Sequence, residues 1–169
     1  EMLCNYFAKF KKPIIYVNQV GGQDELVFDG SSLIVDSKDT VKRLKSFETD
    51  QAVIEIENKN ISTSLKGEQL SKVGDISDIY QALVLGTRDY VQKNNFKGIL
   101  IGSSGGIDSA LTAAIASDAL GPDKVNTVMM PFKYTADISV EDAQQLAENL
   151  GFAHEVIPIS EMFSAFKNS

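Results

Sequence analysis

Apolar side chains at Met2, Leu3, Tyr6, Phe7 and Phe10 recur at helical spacing, which predicts a helix over residues 1 to 10 that packs one face. Pro13 ends it, and the β-branched and aromatic run Ile14-Ile15-Tyr16-Val17 predicts a buried strand. Gly21-Gly22-Gln23-Asp24-Glu25 reads as a loop. Leu26-Val27-Phe28 and Leu33-Ile34-Val35 read as two short strands across an Asp29-Gly30 turn, and Ala52-Val53-Ile54-Glu55-Ile56 as the last strand of this part. Between residues 57 and 73, around Glu57-Asn58-Lys59-Asn60 and Gly67, no hydrophobic period is visible, as expected of a linker or a long surface loop. The domain boundary is placed there: 1–57, a linker 58–73, and 74–169.

The second part alternates. Ile76, Ile79, Tyr80, Leu83, Val84, Tyr90 and Val91 mark a helix, and Gly98-Ile99-Leu100-Ile101-Gly102 a short buried strand. Residues 107–120 read as an Ala-rich helix, Val125 to Met130 as a strand, and 139–150 as a helix. Ser139 with Asp142 predicts a capping box, and Gly151 a C-terminal stop. Glu155-Val156-Ile157 begins a third strand. Strands alternating with helices predict an α/β fold whose doubly wound, right-handed parallel sheet binds ligands at its carboxyl ends.

Composition narrows the function classes. A hydrophobic content of 43% with 23% charged residues suits a globular chain. The net charge of −7 argues against a nucleic-acid partner, and the run Lys9, Lys11, Lys12 is a solvated helix end. One cysteine excludes an internal disulfide, and with one histidine it excludes a Cys/His zinc site. No apolar stretch is long enough to cross a bilayer and no signal peptide is visible, so no membrane partner is expected. The opening Glu1-Met2-Leu3 has the character of an excised piece.

The stretch with the most chemistry is Gly102-Ser103-Ser104-Gly105-Gly106-Ile107-Asp108-Ser109, between a strand and its helix. Gly105 and Gly106 let backbone approach an anion closely, and the helix start aims free N–H groups and a positive dipole end at the same point. Ser104 and Ser109 offer hydroxyl donors. A phosphate cradle follows. It is not a Walker loop, which needs Gly-Lys-Ser/Thr, nor a G-x-G-x-x-G fingerprint. Asp108, inside the first helical turn, would repel bound phosphates unless a hard cation came between, and magnesium is the natural bridge. The bland alternative is that Asp108 only caps its helix.

The segment Ser104-Gly105-Gly106-Ile107-Asp108-Ser109 resembles the S-G-G-x-D-S loop of ATP pyrophosphatases, which adenylate a substrate and release pyrophosphate. Met130-Pro131-Phe132-Lys133-Tyr134-Thr135 and Ser139-Val140-Glu141-Asp142-Ala143 are similar to NAD synthetases in particular. The run from Tyr16 to Gly30 resembles the end of the nitrilase-like glutaminase domain of glutamine-dependent NAD synthetases, and Asn18, Phe28, Gly30 and Ser32 form the sparse pattern shared with nitrilases generally. The resemblance implies the C-terminal part of a nitrilase-like αββα domain, followed by the first half of an adenine nucleotide hydrolase-like domain. It implies ATP binding by Gly102, Ser103, Ser104, Gly105, Gly106, Ile107, Asp108, Ser109 and Lys133, the last at a position where the family usually has Arg, with Asp108 as ligand to Mg2+.

By the same resemblance the parent protein is a cytoplasmic, homo-oligomeric ligase. It adenylates nicotinic acid adenine dinucleotide with Mg-ATP, and ammonia from glutamine displaces AMP to give NAD. The glutaminase Glu, Lys and Cys are expected upstream of Glu1, and later synthetase residues beyond Ser169, so the 169-residue chain alone is expected to be inactive. Cys4, His154, Tyr80 and Tyr90 read as packing or surface residues. Two alternatives stay open: another ATP pyrophosphatase, such as a GMP synthetase or a tRNA-thiolating enzyme, and a nucleotide-binding module without catalysis.

Overall fold

Short β-branched runs and proline divide the first half of the chain into strands too brief to stand alone. The computed structural model describes residues 2–36, 40–57, 60–65, 67–69 and 75–167. They form two compact units, Glu1–Gly86 and Thr87–Ser169, which divide inside the helix Ile76–Lys93.

In the first unit, α1 (Met2–Phe10) ends where Lys11 N–H donates to the Phe7 carbonyl at 2.8 Å, and Pro13 cannot continue it. β1 (Ile14–Tyr16) follows, then β2 (Val20–Gln23), β3 (Leu26–Asp29), β4 (Leu33–Val35), β5 (Thr40–Arg43), β6 (Ile54–Glu57), β7 (Asn60–Thr63) and β8 (Gly67–Gln69). An antiparallel sheet runs in the order β1-β4-β5-β8, with β2-β3 and β6-β7 as separate two-stranded ribbons. Cys4, Val35 and Val41 are buried together, with Leu3, Phe7, Ile14 and Leu33 packed against them. Cys4 is a free thiol in this core.

Four readings of this half need correction. β1 is not a buried strand: Ile15 is 42% and Tyr16 45% exposed. Residues 21–23 are strand, not loop: β2 pairs with β3 from Val20↔Asp29 to Gln23↔Leu26, so the turn is only Asp24-Glu25. Asp29-Gly30 therefore does not join a β3–β4 hairpin; β4 pairs with β1 instead. The segment 58–73 contains β7, paired with β6, and β8, paired with β5, so residues 52–56 do not hold the last strand. Ile54 and Ile56 alternate with Glu55 and Glu57 in β6, but β7 holds one apolar residue, Ile61, and β8 none, so neither offers a period-2 pattern to read. Residues 58, 59, 66 and 70–73 of that segment lie outside the described residues.

The shared nitrilase-like pattern acquires a physical reason. Asn18 N–H donates to Ser32 Oγ at 2.9 Å, Ser32 Oγ donates to the Asn18 carbonyl at 3.2 Å, and Asn18 Nδ2 donates to Asp29 Oδ1 at 2.9 Å. Gly30, at φ +71°, donates its N–H to the Gln19 carbonyl at 3.0 Å, and a Cβ there would lie 2.5 Å from Val20 Cγ2. Asn18, Gly30 and Ser32 thus close one hydrogen-bonded corner.

The second unit opens with the end of α2 (Ile76–Lys93) and continues with β9 (Ile99–Ser103), α3 (Ile107–Leu120), a 3-10 turn at Pro122–Lys124, β10 (Val125–Met129), α4 (Asp137–Leu150), β11 (Ala153–Val156) and α5 (Ser160–Lys167). The sheet is parallel throughout, in the order β11-β10-β9. Ile101, Val125 and Phe152 are buried against Ala113 and Ala116 of α3 and Ala147 of α4, with Ile99, Leu146 and Leu150 around them. Alanine on the helices brings backbone close to the sheet, so few large side chains are needed there. Tyr90 is 59% exposed, with its ring tilted against Phe96, and is not a core residue.

Further differences concern ends and faces. β9 is buried on one face only among the described residues: Ile101 is inside and Leu100 is 71% exposed. α4 begins at Asp137, with Ala136 as N-cap and no side-chain cap, so Ser139 and Asp142 form no capping box. Gly151 does stop α4 in the left-handed conformation, its N–H donating to the Ala147 carbonyl at 2.8 Å. β11 starts at Ala153, two residues before the sequence reading, and α5 had no counterpart in it.

Gly98 enters β9 so close to Lys124 that an added Cβ would lie 2.5 Å from that carbonyl oxygen. Gly98→Ala is expected to destabilise this unit by about 1–3 kcal/mol. The check is a lowered thermal midpoint; an unchanged one would mean that the strand entrance can shift freely.

Candidate functional site

The loop between β9 and α3 sits at the carboxyl edge of the parallel sheet, where α/β folds take ligands. Gly105 has φ +73°, and a Cβ there would fall 2.2 Å from the Ser139 carbonyl oxygen and 2.6 Å from Ser139 Cα. The start of α4 thus presses directly on the loop, and only glycine fits at the contact. Gly106 is the N-cap of α3 with φ −88° and ψ 160°, and contributes no side-chain cap. The first N–H groups of α3 have no partner within the helix and point out of its start, carrying the positive end of the dipole.

The serines bind one another. Gly106 N–H donates to Ser104 Oγ at 3.2 Å, Ser104 N–H donates to Ser109 Oγ at 3.2 Å, and the two hydroxyls lie 3.1 Å apart. Ser109 Oγ donates to the Gly106 carbonyl at 3.0 Å. Each hydroxyl has one hydrogen, so donors expected to face outward are spent on closing the loop. The cradle in this conformation is a backbone cradle. Gly102 accepts a Cβ without close contact, so the close approach is specific to Gly105.

Asp108 is exposed in the first turn of α3 and makes no cap hydrogen bond there; its charge lies at the positive end of the helix dipole. Among the described residues no group of three or more His, Cys, Asp and Glu comes together as a metal cluster. A groove of about 390 Å³ is lined by Ser103, Gly105, Gly106, Ile107 and Ser109 on one side and by Asp142, Gln145 and Asn149 of α4 on the other. Gly102, Ser104, Asp108 and Lys133 do not line it. The polar stripe at 142, 145 and 149 escaped the sequence reading, although its i, i+3, i+7 spacing on a helix was visible.

Lys133 lies in the segment between β10 and α4, at the same sheet edge as the loop, because Met129 pairs with Ser103. Its ammonium is 4.6 Å from the Tyr134 ring centroid and 5.8 Å from that of Phe132, and so is engaged with rings, not with the loop. His154 Nδ1 is 2.7 Å from Thr127 Oγ1, and its Nε2 is buried without a hydrogen-bond partner. Cys4, 4% exposed, is a free thiol in the core of the first unit.

A parallel sheet with a glycine-rich loop at its first strand-to-helix turn defines an α/β protein of the doubly wound class. The sequence model of NAD synthase matches residues 79–169, and the chain belongs to that family. The glutamine-dependent NAD(+) synthetase of Acinetobacter baylyi is 46% identical over 156 residues, covering 90% of this chain and 28% of that protein. The one of Synechocystis is 42% identical over 170 residues, covering 98% and 30%. The structure of the glutamine-dependent NAD+ synthetase from Acinetobacter baumannii, in complex with ADP, matches with a TM-score of 0.89 at 39% identity, over 99% of this chain and 32% of that one. The chain therefore spans about 30% of the length of its curated relatives.

Gly105→Ala should distort the cradle, since both its positive φ and the Ser139 backbone oppose a side chain, at a cost of about 1–3 kcal/mol. Gly106→Ala meets only the movable Ser104 Oγ at 3.2 Å and should cost less. Thermal unfolding of the two variants side by side tests the order; equal midpoints would contradict it.

Proposed function

We propose that this chain is part of a glutamine-dependent NAD+ synthetase and carries the part of its ATP site that grips phosphates. The observation that carries the reading is the backbone cradle of Gly105, Gly106 and the α3 N-terminus, in a chain of the NAD synthase family. Support for a nucleotide comes from the similar protein bound to ADP. Residues 1–57, with β7 and β8 of the expected linker 58–73 paired onto them, form the end of a nitrilase-like glutaminase domain, and 74–169 the opening part of the synthetase domain.

Gly102 to Ser109 hold the ATP phosphates, chiefly through backbone N–H groups, and Ser104 or Ser109 joins them when its hydroxyl turns outward. Asp108, uncapped and exposed, would hold Mg2+; one carboxylate suffices, because magnesium takes few protein ligands beside phosphate and water oxygens. A magnesium ion held by Asp108 would supply neutralisation of phosphate charge. Lys133 adds a positive charge at the same edge. The carboxylate of nicotinic acid adenine dinucleotide attacks the α-phosphorus of ATP and pyrophosphate leaves; ammonia from glutamine then attacks the acyl carbon and AMP leaves. Activation is needed because a carboxylate is a poor acylating group until AMP is its leaving group. The enzyme works in the cytoplasm as a homo-oligomer, without nucleic acid or membrane. No described helix is long and apolar enough to cross a membrane.

The product of the complete reading frame should convert nicotinic acid adenine dinucleotide to NAD, with ATP cleaved to AMP and pyrophosphate. Formation of GMP from XMP, with no turnover of the dinucleotide, would assign it to another ATP pyrophosphatase. Asp108→Asn in that protein should slow adenylation by at least about a hundredfold, as loss of an electrostatic stabiliser does; unchanged pyrophosphate release would remove the role given to Asp108. The 169-residue chain alone should release no ammonia from glutamine, and alkylation of Cys4 should change nothing. Ammonia release blocked by alkylation would make Cys4 a nucleophile.

A further inference from the structure

The segment from Met130 to Ala136 carries Lys133 but is only weakly held by itself. Thr135 N–H donates to the Phe132 carbonyl at 2.8 Å and Phe132 N–H to Thr135 Oγ1 at 2.9 Å, which closes a small turn without fastening it to the sheet. Fastening comes from the chain that leaves β11. Ile157 N–H donates to the Met129 carbonyl at 2.8 Å, and Ile159 N–H to the Pro131 carbonyl at 3.1 Å. Then α5 brings the Phe163 ring to 4.6 Å from that of Phe132, tilted by 54°. Phe132 meets Tyr134 edge-on at 5.6 Å, and the Lys133 ammonium lies over Tyr134. An unbroken line of ring contacts runs from α5 to the ammonium.

Core formation does not account for this arrangement. Phe163 is 48% exposed and Tyr134 81%, so the rings stand at the rim of the sheet edge. Among the described residues Lys133 has no carboxylate within ion-pair distance, so the rings are what orient it. Such contacts are worth a modest amount each, but they fix a long side chain that would otherwise lose rotamer freedom when it meets a phosphate.

We infer that Phe163 is a positioning residue of the nucleotide site: through Phe132 it holds the Met130–Ala136 segment and so presents Lys133 to ATP. The inference rests on the reading of Lys133 as an ATP contact. It assigns α5, which touches no part of the glycine-rich loop in the contacts above, a share in ATP affinity.

The test uses the product of the complete reading frame, with Mg-ATP binding measured by calorimetry and the ATP dependence of NAD formation measured beside it. Phe163→Ala should raise the Kd and KM for ATP roughly three- to tenfold, in keeping with the loss of an aromatic pair, with kcat changed less. Phe163→Tyr, which keeps the ring, should recover most of that loss, and Phe163→Leu should fall between. If the alanine variant does not fold, the comparison of leucine with tyrosine decides. Because Phe163 acts through Lys133, the double variant Phe163→Ala/Lys133→Ala should bind ATP about as weakly as Lys133→Ala alone. Unaltered ATP binding in Phe163→Ala, a tyrosine variant as impaired as the alanine one, or losses that multiply in the double variant would each overturn the inference. Weakened ATP binding in Phe163→Ala without NAD formation by the parental protein would overturn the proposed reaction and leave the role of Phe163 standing. A parental protein that does not bind ATP would remove both.

Discussion

Everything at the sheet edge depends on the parallel register of β9, β10 and β11. Val125 stands opposite Ile99 and Met129 opposite Ser103, while Met129 also stands opposite Val156, so all three strands end level. Level ends bring the β9–α3 loop, the Met130–Ala136 segment and the exit from β11 out side by side. The register is itself specified by burial. Thr127, 2% exposed, has its hydroxyl 2.7 Å from Nδ1 of its register partner His154. A slip by one residue would turn that hydroxyl and every buried side chain of the strand to the opposite face.

From that constraint follows the tight seat of the glycine-rich loop. With β9 and β10 level, the start of α4 arrives beside Gly105, and the Ser139 backbone takes the space of a side chain. Serine hydroxyls then satisfy the loop from within, which leaves the outward surface to backbone N–H groups. Such a surface suits an anion because its donors are fixed before the ligand comes and lose little freedom on binding. The positive end of the α3 dipole stands on one side of that surface and, along the same sheet edge, the segment that carries Lys133.

In the first unit the same economy of backbone is at work for a different end. Asn18, Asp29, Gly30 and Ser32 hold a corner where β1 gives way to β2 and β3 to β4. A corner of this kind decides which strands pair. By tying Asn18 to Ser32 it sets β4 beside β1, and leaves β3 to pair with β2.

Much was legible in the residues themselves. The 3.6-residue period located α1 and α2, and alanine content α3, but it did not name the buried faces: Met2, Tyr6 and Phe10 of α1 and Ile76, Ile79 and Leu83 of α2 are exposed. The string Ser104-Gly105-Gly106-Ile107-Asp108-Ser109 announced an anion cradle, because glycine, helix start and hydroxyl are local features that need no tertiary partner. Strand pairing was not legible. Adjacent runs at 26–28 and 33–35 looked like partners, yet hydrogen bonds to distant segments won, since local sequence says which residues are extended and not which neighbour satisfies their backbone. β7 and β8 were invisible because Asn60–Thr63 holds one apolar residue, Ile61, and Gly67–Gln69 none, so neither bears an alternating pattern. The sequence alone determined the glycine-rich turn from strand to helix and the family. Only the tertiary structure decided that Ser104 and Ser109 bond to each other, that Asp108 caps nothing, and that Phe163 reaches Lys133 through Phe132, because each is a matter of which groups are brought within a few ångströms by packing.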